Sequence, residues 1–377
     1  MSCEDVSGRH FQGRRLLLRG MFAAPLTAVA GAYRTTWADG AVAKTSATPA
    51  ATYALFSTQR AEALAGNVPP AVAAQLISLA QAGLTRELHV RDIVHTQGLL
   101  PHEGDRDASV LAQQDWQQTL VQALAFRVSS TSAYADKAVA YIAGWLPAYR
   151  SSSNPVDEAG LVQFLFGLDL VREHVSAELT ARIPAFGAQL AEAYLTPARR
   201  VGDDSTLLNN WQSHRVKLAT AGAYLSGDRR WIDAARAAFI GHVRQNVRDD
   251  GSTYDFAQRD AMHYVVFNLE PLLMAASMAA AHGHDWYGAP EIRGRLASAL
   301  NWLAPFARGE RQHEEFVHST VKFDARRAAA NVKGYAGLWQ RNEAADLYRI
   351  ASHLDPQFRA VSVGLDATPV ARTLFPA

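Results

Sequence analysis

From residue 53 to the C-terminus the chain repeats one pattern, apolar residues at spacings of three and four with polar residues between them. That spacing puts the apolar side chains on one face of a helix. It predicts helices over residues 64–82, 108–129, 133–149, 157–174, 176–194, 206–225, 230–246, 257–282, 290–306, 325–339 and 343–353. The alternation expected of strands is scarce. Helices with polar first turns alternate with simpler amphipathic ones: 157–174 with 176–194, 206–225 with 230–246, and 257–282 with 290–306. The joints carry turn residues, as in "LSGDRRW" at 225–231 and "HGHDWYGAPE" at 282–291. Helical hairpins stacked in this way close into a ring, inner helices around a central cavity and outer helices covering them. The expected fold is therefore all-α, an (α/α) toroid; a plain bundle or solenoid is the competing architecture.

Before residue 53 the pattern stops. "GRRLLLRGMFAAPLTAVAGA" sets Arg14 and Arg15 ahead of a short apolar stretch, and small-residue cleavage patterns follow at Ala28-Val29-Ala30 and Ala41-Val42-Ala43. The stretch resembles a twin-arginine export signal, departing from it at Gly13 and Leu17, and implies a periplasmic or secreted protein. Residues 1–43 are read as the signal and the start of a linker, 44–52 as the rest of the linker, and 53–377 as a single toroid domain. A chain of 377 residues, 49% of them hydrophobic, suffices for one large core. A net charge of +1 gives no reason to expect a nucleic-acid partner, and no apolar run is long enough for a membrane span. The lone cysteine, Cys3, falls in the signal, so cysteine usage decides little. Nothing in the pattern specifies an oligomeric state.

Two stretches interrupt the packing pattern with chemistry. "LNNWQSHRVKLATAGAYLSGD", 208–228, starts with amides, a tryptophan and a histidine where leucines would serve a core. Such groups are costly to bury without partners. Asn210 and His214 are four apart and share a helix face, as do Trp211 and Arg215, with Ser205 as the expected N-cap. The plain reading is that Asn209 and Asn210 finish a helix start and His214 is a core histidine. "DDGSTYDFAQRDAMHYVVFNLEPLL", 249–273, has a tight turn at Gly251 and then Arg259, Asp260, His263 and Tyr264, with Asp255 spaced to pair with Arg259.

Two further stretches carry weaker signals. In "SSSNPVDEAGLVQFLF", 151–166, Asn154 and Pro155 look like a helix N-cap and first position, with Asp157 and Glu158 in the first turn. "RQHEEFVHSTVKFDARR", 311–327, offers His313, His318, Lys322 and Arg326 to one groove, or forms a solvated loop. There is no HExxH, CxxC, GxSxG, P-loop or GxGxxG, so neither a metal nor a cofactor is expected.

Asn, His, Arg and Tyr together, without a metal, suit β-elimination beside a carboxylate. In a uronic-acid polymer the C5 proton is acidic and the glycosidic oxygen leaves from C4. Amide, imidazole and guanidinium donors stabilise the charge that builds on the carboxylate. A phenol or imidazole removes the proton, and a phenol can protonate the leaving oxygen. A cationic cleft draws in a polyanion, so the expected partner is an anionic polysaccharide.

"NNWQSHR" followed by "DGSTYDFAQRDAMHYVVFNLEPLL" resembles the alginate lyase superfamily of α/α-toroid polysaccharide lyases, over roughly residues 154–273. Trp211 stands where the family's motif has histidine, so the first histidine available is His214. Phe267 stands where a second tyrosine is usual, leaving Tyr264 as the phenol. The pattern is nearer the branch that cleaves β-1,4-glucuronan than the typical mannuronan lyases. The resemblance implies cleavage of alginate or glucuronan, with Asn210, His214, Arg259 and Tyr264 catalytic. Asn210 and Arg259 would neutralise the carboxylate, with His214 assisting or acting as base, and Tyr264 would be the acid, the base or both. Asn209, Trp211, Arg215, His263 and Lys322 would contact substrate. Two other functions compete. One is an α/α-barrel glycoside hydrolase, which needs two carboxyl groups about 5–10 Å apart, drawn from Glu158, Asp204, Asp260 and Glu270. The other is a non-catalytic protein that binds anionic glycan.

Overall fold

The computed structural model describes residues 53–197 and 202–376. The export signal and linker expected over residues 1–52 lie outside the described residues. Among the described residues there is no strand, only two isolated β-bridges. The principal helices are α1 (Pro70–Gly83), α2 (Arg106–Ser129), α3 (Ser132–Ala148), α4 (Leu161–Leu170), α5 (Ile183–Leu195), α6 (Asn210–Ser226) and α7 (Arg229–Asn246). They continue as α8 (Tyr254–Arg259), α9 (Met262–Ala280), α10 (Arg295–Ala307), α11 (Lys322–Ala329), α12 (Ala345–Leu354) and α13 (Pro369–Leu374).

Helices α2, α4, α6, α9 and α12 pack in that order around a lumen, and α13 returns from α12 to α1 and α2. The ring is the expected toroid. Its inner members are not amphipathic: every residue of α6 from Asn210 to Leu225 except Gln212 is buried, and so is α9 from Met262 to Ala279. One face of each meets the outer helices, and the other faces the lumen and neighbouring inner helices. The outer helices α5 and α7 both lie on α6. The expected pairing of 176–194 with 157–174 is thus corrected, since α5 packs chiefly on α6 rather than α4.

The α5–α6 contact depends on two glycines. A Cβ on Gly222 would lie 2.6 Å from the carbonyl oxygen of Gly187, and one on Gly187 would lie 2.7 Å from that of Gly222. The two backbones touch where neither residue has a side chain.

Three boundaries differ from the pattern for identifiable reasons. The helix expected over 64–82 begins only at Pro70, because the Pro69-Pro70 pair disfavours a helix running through it while proline suits a first turn. The helix expected from 157 begins at Leu161, with turns over residues 155–160. Asp157 and Glu158 therefore do not serve a helix dipole. Asp157 accepts from the backbone of Thr96 and Gln97 at 2.8 Å each, and Glu158 from the hydroxyls of Tyr149 at 2.8 Å and Tyr194 at 2.6 Å. The helix expected over 257–282 is two, α8 and α9, because Asp260 adopts a left-handed conformation with φ 49°. Gly227 ends α6 with φ 69°, as the turn signal at 225–231 predicts.

The inner helices share a direction. At one end of the ring residues 53–60 cross their C-termini. Asp169 of α4 accepts from the backbone N–H of Ala54 at 3.0 Å and of Leu55 at 2.7 Å. His282, just beyond α9, meets the carbonyl of Ala54 at 2.7 Å. Arg60 donates to Ser277 of α9 at 3.1 Å and to the carbonyl of Leu374 in α13 at 3.0 Å. The N-terminal turns of α4, α6 and α9 therefore open at the other end.

Gly222→Ala is expected to cost about 1–3 kcal/mol, the range for overpacking a filled contact. Urea denaturation of the variant beside the wild type measures it; an unchanged midpoint would show that α5 and α6 can separate freely.

Candidate active site

At the open end the lumen is lined by Ala159 and Gln163 from the α4 region, His214 and Lys217 from α6, and Phe267 and Glu270 from α9. Deeper in, Phe166, Met274, Asp346 and Leu374 continue it toward the strapped floor.

α6 starts under tight control. Asn209, not the expected Ser205, is its N-cap, accepting from the backbone N–H of Trp211 at 3.0 Å. Asn210 is fully buried. Its backbone N–H and its side-chain Nδ2 both donate to Asp255 Oδ1, at 2.9 and 2.7 Å. Asn246 Nδ2 donates to the other oxygen of Asp255 at 2.9 Å. Burial outweighs these bonds and pushes the Asp255 carboxyl up to about 6. Asp255 is the anchor of Asn210, then, and Arg259 has its direct partner elsewhere: Arg259 Nη1 donates to Asp324 Oδ1 at 2.6 Å.

His214 lies one turn into α6 and is 4% exposed. Its Nδ1 is 3.1 Å from Lys217 Nζ, which also donates to the carbonyl of Ala159 at 2.6 Å. The ring of Phe267 packs on the His214 ring with centroids 4.2 Å apart.

Tyr264 sits across Phe267 from His214, in a small apolar cluster with Ala159, Ala261, Phe267 and Tyr335. Three groups surround its phenol. Arg327 Nη1 donates to Tyr264 Oη at 3.0 Å, the hydroxyl of Tyr335 is 3.4 Å away, and the Arg259 guanidinium lies 4.0 Å from the ring centroid. Asp324 holds Arg259 and stands 3.6 Å from Arg327. His263 meets the Tyr264 ring edge-on at 5.1 Å and approaches Glu343 at 3.4 Å.

Asp324, Arg327 and Tyr335 all come from the segment after α10, which folds back over the α8–α9 break. Phe316 N–H donates to the carbonyl of Asp260 at 2.8 Å, and His318 N–H to its carboxylate at 3.0 Å. Glu315 accepts from the first N–H groups of α9, Met262 at 2.7 Å and His263 at 3.2 Å.

The structure thus gathers Asn210, His214, Arg259, His263 and Tyr264 at one end of the ring. The other expected contacts fall differently. Trp211 is 1% exposed, packed with Val156 and Phe323, and offers no ring face to a sugar. Arg215 ties α6 to the preceding turn, donating to the carbonyl of Thr206 at 2.8 Å and to its hydroxyl at 2.9 Å. Lys322 is exposed on the first turn of α11. The His313 ring binds the carbonyl of Asp260 at 3.0 Å, His318 is exposed and reaches Asp260 only through its backbone N–H, and Arg326 pairs with Glu103 at 2.8 Å.

Of the four carboxyl groups weighed for hydrolysis, Glu158 is sealed by tyrosines, Asp260 holds the covering segment, and Asp204 is exposed. Glu270 faces the lumen. Among the described residues no three His, Cys, Asp or Glu gather as a metal would need, and no helix is long and apolar enough to cross a membrane.

Sequence reasoning missed Lys217, Glu315, Arg327 and Tyr335. Lys217 had a signal, its i, i+3 spacing from His214. Tyr335 had none, because only the fold of the covering segment brings it to Tyr264.

The helical ring thus gathers buried cations and a phenol beneath the covering segment at one end. The chain belongs to the alginate lyase family, whose model matches residues 45–313. It is a polysaccharide lyase, and the hydrolase and binding-protein alternatives fall away. The crystal structure of an alginate lyase from Bacteroides ovatus superposes with a TM-score of 0.63 at 17% identity, over 86% of this chain and 99% of that one. Alginate lyase A1-III from Sphingomonas species A1 gives 0.54 at 16%, over 87% and 98%. A variant of A1-III complexed with tetrasaccharide gives 0.59 at 16%, over 87% and 97%. At these identities the likeness is one of fold. The curated proteins contain no match.

The cap on α9 is pH-sensitive. Burial first, and then Glu343 and Asp260, push the Glu315 carboxyl from 4.5 up to about 8. Because the folded-state value is raised, the stability this group contributes is fully present below pH 4.5 and is lost as pH rises through about 8. Glu315→Gln is therefore expected to flatten the fall in melting temperature between about pH 5 and about pH 9. Equal slopes for wild type and variant would remove Glu315 as the titrating group.

Proposed function

We propose that this lyase depolymerises a uronic-acid polysaccharide, polymannuronate or β-1,4-glucuronan, by β-elimination at the open end of the ring. The export signal would carry it to the periplasm or beyond. One observation bears most of the weight: the Tyr264 oxygen accepts from Arg327 while Arg259 covers the ring. Guanidinium groups in those positions stabilise negative charge on the phenol oxygen.

In this reading the Tyr264 oxygen takes the C5 proton. The electron pair released forms the C4–C5 double bond and expels the glycosidic oxygen from C4. Tyr264 returns its proton to that oxygen. Negative charge builds meanwhile on the C6 carboxylate, where Arg259, His214 and the second N–H of Asn210 Nδ2 receive it. Three helix N-termini at the same end favour that charge. His263 supports the phenol, and Lys322 at the rim attracts carboxylates further along the polymer. Tyr264 is fully buried, so in this reading the segment carrying Arg327 and Tyr335 opens to admit the chain and closes again with Arg327 on the phenol before the proton moves.

The test is absorbance near about 235 nm, where a C4–C5 unsaturated uronate absorbs, with polymannuronate, polyguluronate, glucuronan and hyaluronan in turn. A rise on polymannuronate or glucuronan is expected; a rise confined to the other two would replace the substrate. Tyr264→Phe is expected to lower turnover about 100-fold or more while leaving the polymer bound in affinity electrophoresis. Turnover at the wild-type rate in that variant would remove Tyr264 as acid and base.

A further inference from the structure

His214 has been left with two roles, donor to the carboxylate or base, and the group beside it decides between them. We infer that Lys217 is a positioning residue that fixes His214 as a neutral imidazole with its proton on Nε2, able to donate to substrate and unable to act as base. The functional meaning rests on the elimination reading; the geometry does not.

His214 and Lys217 are three apart on α6 and are 4% and 3% exposed. Lys217 Nζ lies 2.6 Å from the carbonyl oxygen of Ala159 and 3.1 Å from His214 Nδ1. An ammonium group has three donors and no acceptor. The ring nitrogen facing it must supply a lone pair, so Nδ1 carries no proton. In a neutral ring the proton is then on Nε2. A second proton would set an imidazolium against an ammonium in a buried site, and like charges disfavour it.

Neither partner can easily turn away. The Ala159 carbonyl belongs to the turn before α4 and holds the ammonium from outside α6. Phe267 of α9 lies against the imidazole at 4.2 Å. Among the described residues that line the same cavity, Glu270 of α9 also carries a charge, while α4 contributes Val162 and Gln163, which carry none. A carboxylate in that cavity favours the ammonium form of Lys217 and so reinforces the arrangement.

The consequence for the reaction is specific. An imidazole with Nε2 protonated and Nδ1 occupied by an ammonium has no lone pair to offer C5. Both proton transfers fall to Tyr264, and one group can serve both when the C5 proton and the C4 oxygen lie on the same face of the sugar. Lys217 thereby governs which uronates the enzyme accepts without itself touching the reacting atoms.

The experiment uses the full chain with its histidines labelled by the heavy nitrogen isotope. Long-range proton–nitrogen spectra report the protonation of each ring nitrogen, and His214→Gln identifies the His214 signals. The wild type is expected to show Nε2 protonated and Nδ1 bare, with no titration near about 6.5, the ordinary histidine value. In Lys217→Met, His214 is expected to regain that titration. Its kcat should fall about tenfold or more with a smaller change in KM, since a transition-state donor is partly lost, and kcat/KM should gain an acidic limb. Lys217→Arg, which keeps a cationic donor, is expected to restore the tautomer. A wild-type His214 protonated on Nδ1, or titrating in the ordinary range, overturns the inference. So does a folded Lys217→Met whose spectra and pH profile match the wild type. If that variant does not fold, the wild-type spectrum and Lys217→Arg decide. A fixed Nε2 proton in a protein that cleaves no uronate polymer would uphold the role of Lys217 and overturn the elimination reading alone.

Discussion

The common direction of the inner helices is the constraint on which the site depends. Each helix contributes one or two turns to the open end, and only a shared direction makes those turns meet. The direction is enforced far from the chemistry, where residues 53–60 cross the C-termini through Asp169, His282 and Arg60. The same constraint explains why polar residues cluster in the first turns of α6 and α9 and not in their last turns. The N-termini bring unpaired backbone N–H groups and partial positive charge to one place, so buried acids are tolerated there. Asp255 and Glu315 occupy those positions, capping α6 and α9 through backbone N–H groups.

A second constraint is local. Asp260 stops α8 with a left-handed residue, and its carbonyl and carboxylate then hold the segment that follows α10. An unbroken helix over this stretch would use that carbonyl internally and leave the covering segment without its anchor. Aspartate tolerates the conformation better than most residues with a side chain. The break therefore places the segment that carries Asp324, Arg327 and Tyr335 directly over Tyr264.

The all-helical ring was legible because helical periodicity survives in nearly every segment, and because Gly227 and the turn at Gly251 announce themselves. The inner helices were harder. α6 looked amphipathic because its apolar stripe is real, but its other side is buried by partners that a stripe cannot reveal. The polar residues flagged in it split accordingly. Asn210 and His214 lie at the open end, while Trp211 and Arg215, on the neighbouring face, meet Val156, Phe323 and Thr206 in packing. Spacing tells which residues share a face; it does not tell which face looks into the lumen. The α8–α9 break was illegible for a related reason. The docking that accompanies it, of residues 315–318 on Asp260 and the start of α9, is a contact across more than fifty positions of sequence.

Phe267 and Tyr264 show how a departure from the family pattern can be accommodated. Phe267 stands where the resemblance puts a second tyrosine, and it packs on His214 as an apolar ring. Tyr264, nearly one turn earlier on α9, is the phenol that meets the cations. Asp324 is shared between Arg259 and Arg327, at 2.6 and 3.6 Å. A structural tyrosine would need no such surroundings, since one neutral hydrogen bond satisfies a buried hydroxyl. In the proposed elimination, Tyr264 carries negative charge beside a carboxylate substrate, and both guanidinium groups serve that charge. The covering segment delivers one arginine to the phenol and the aspartate that holds the other in place.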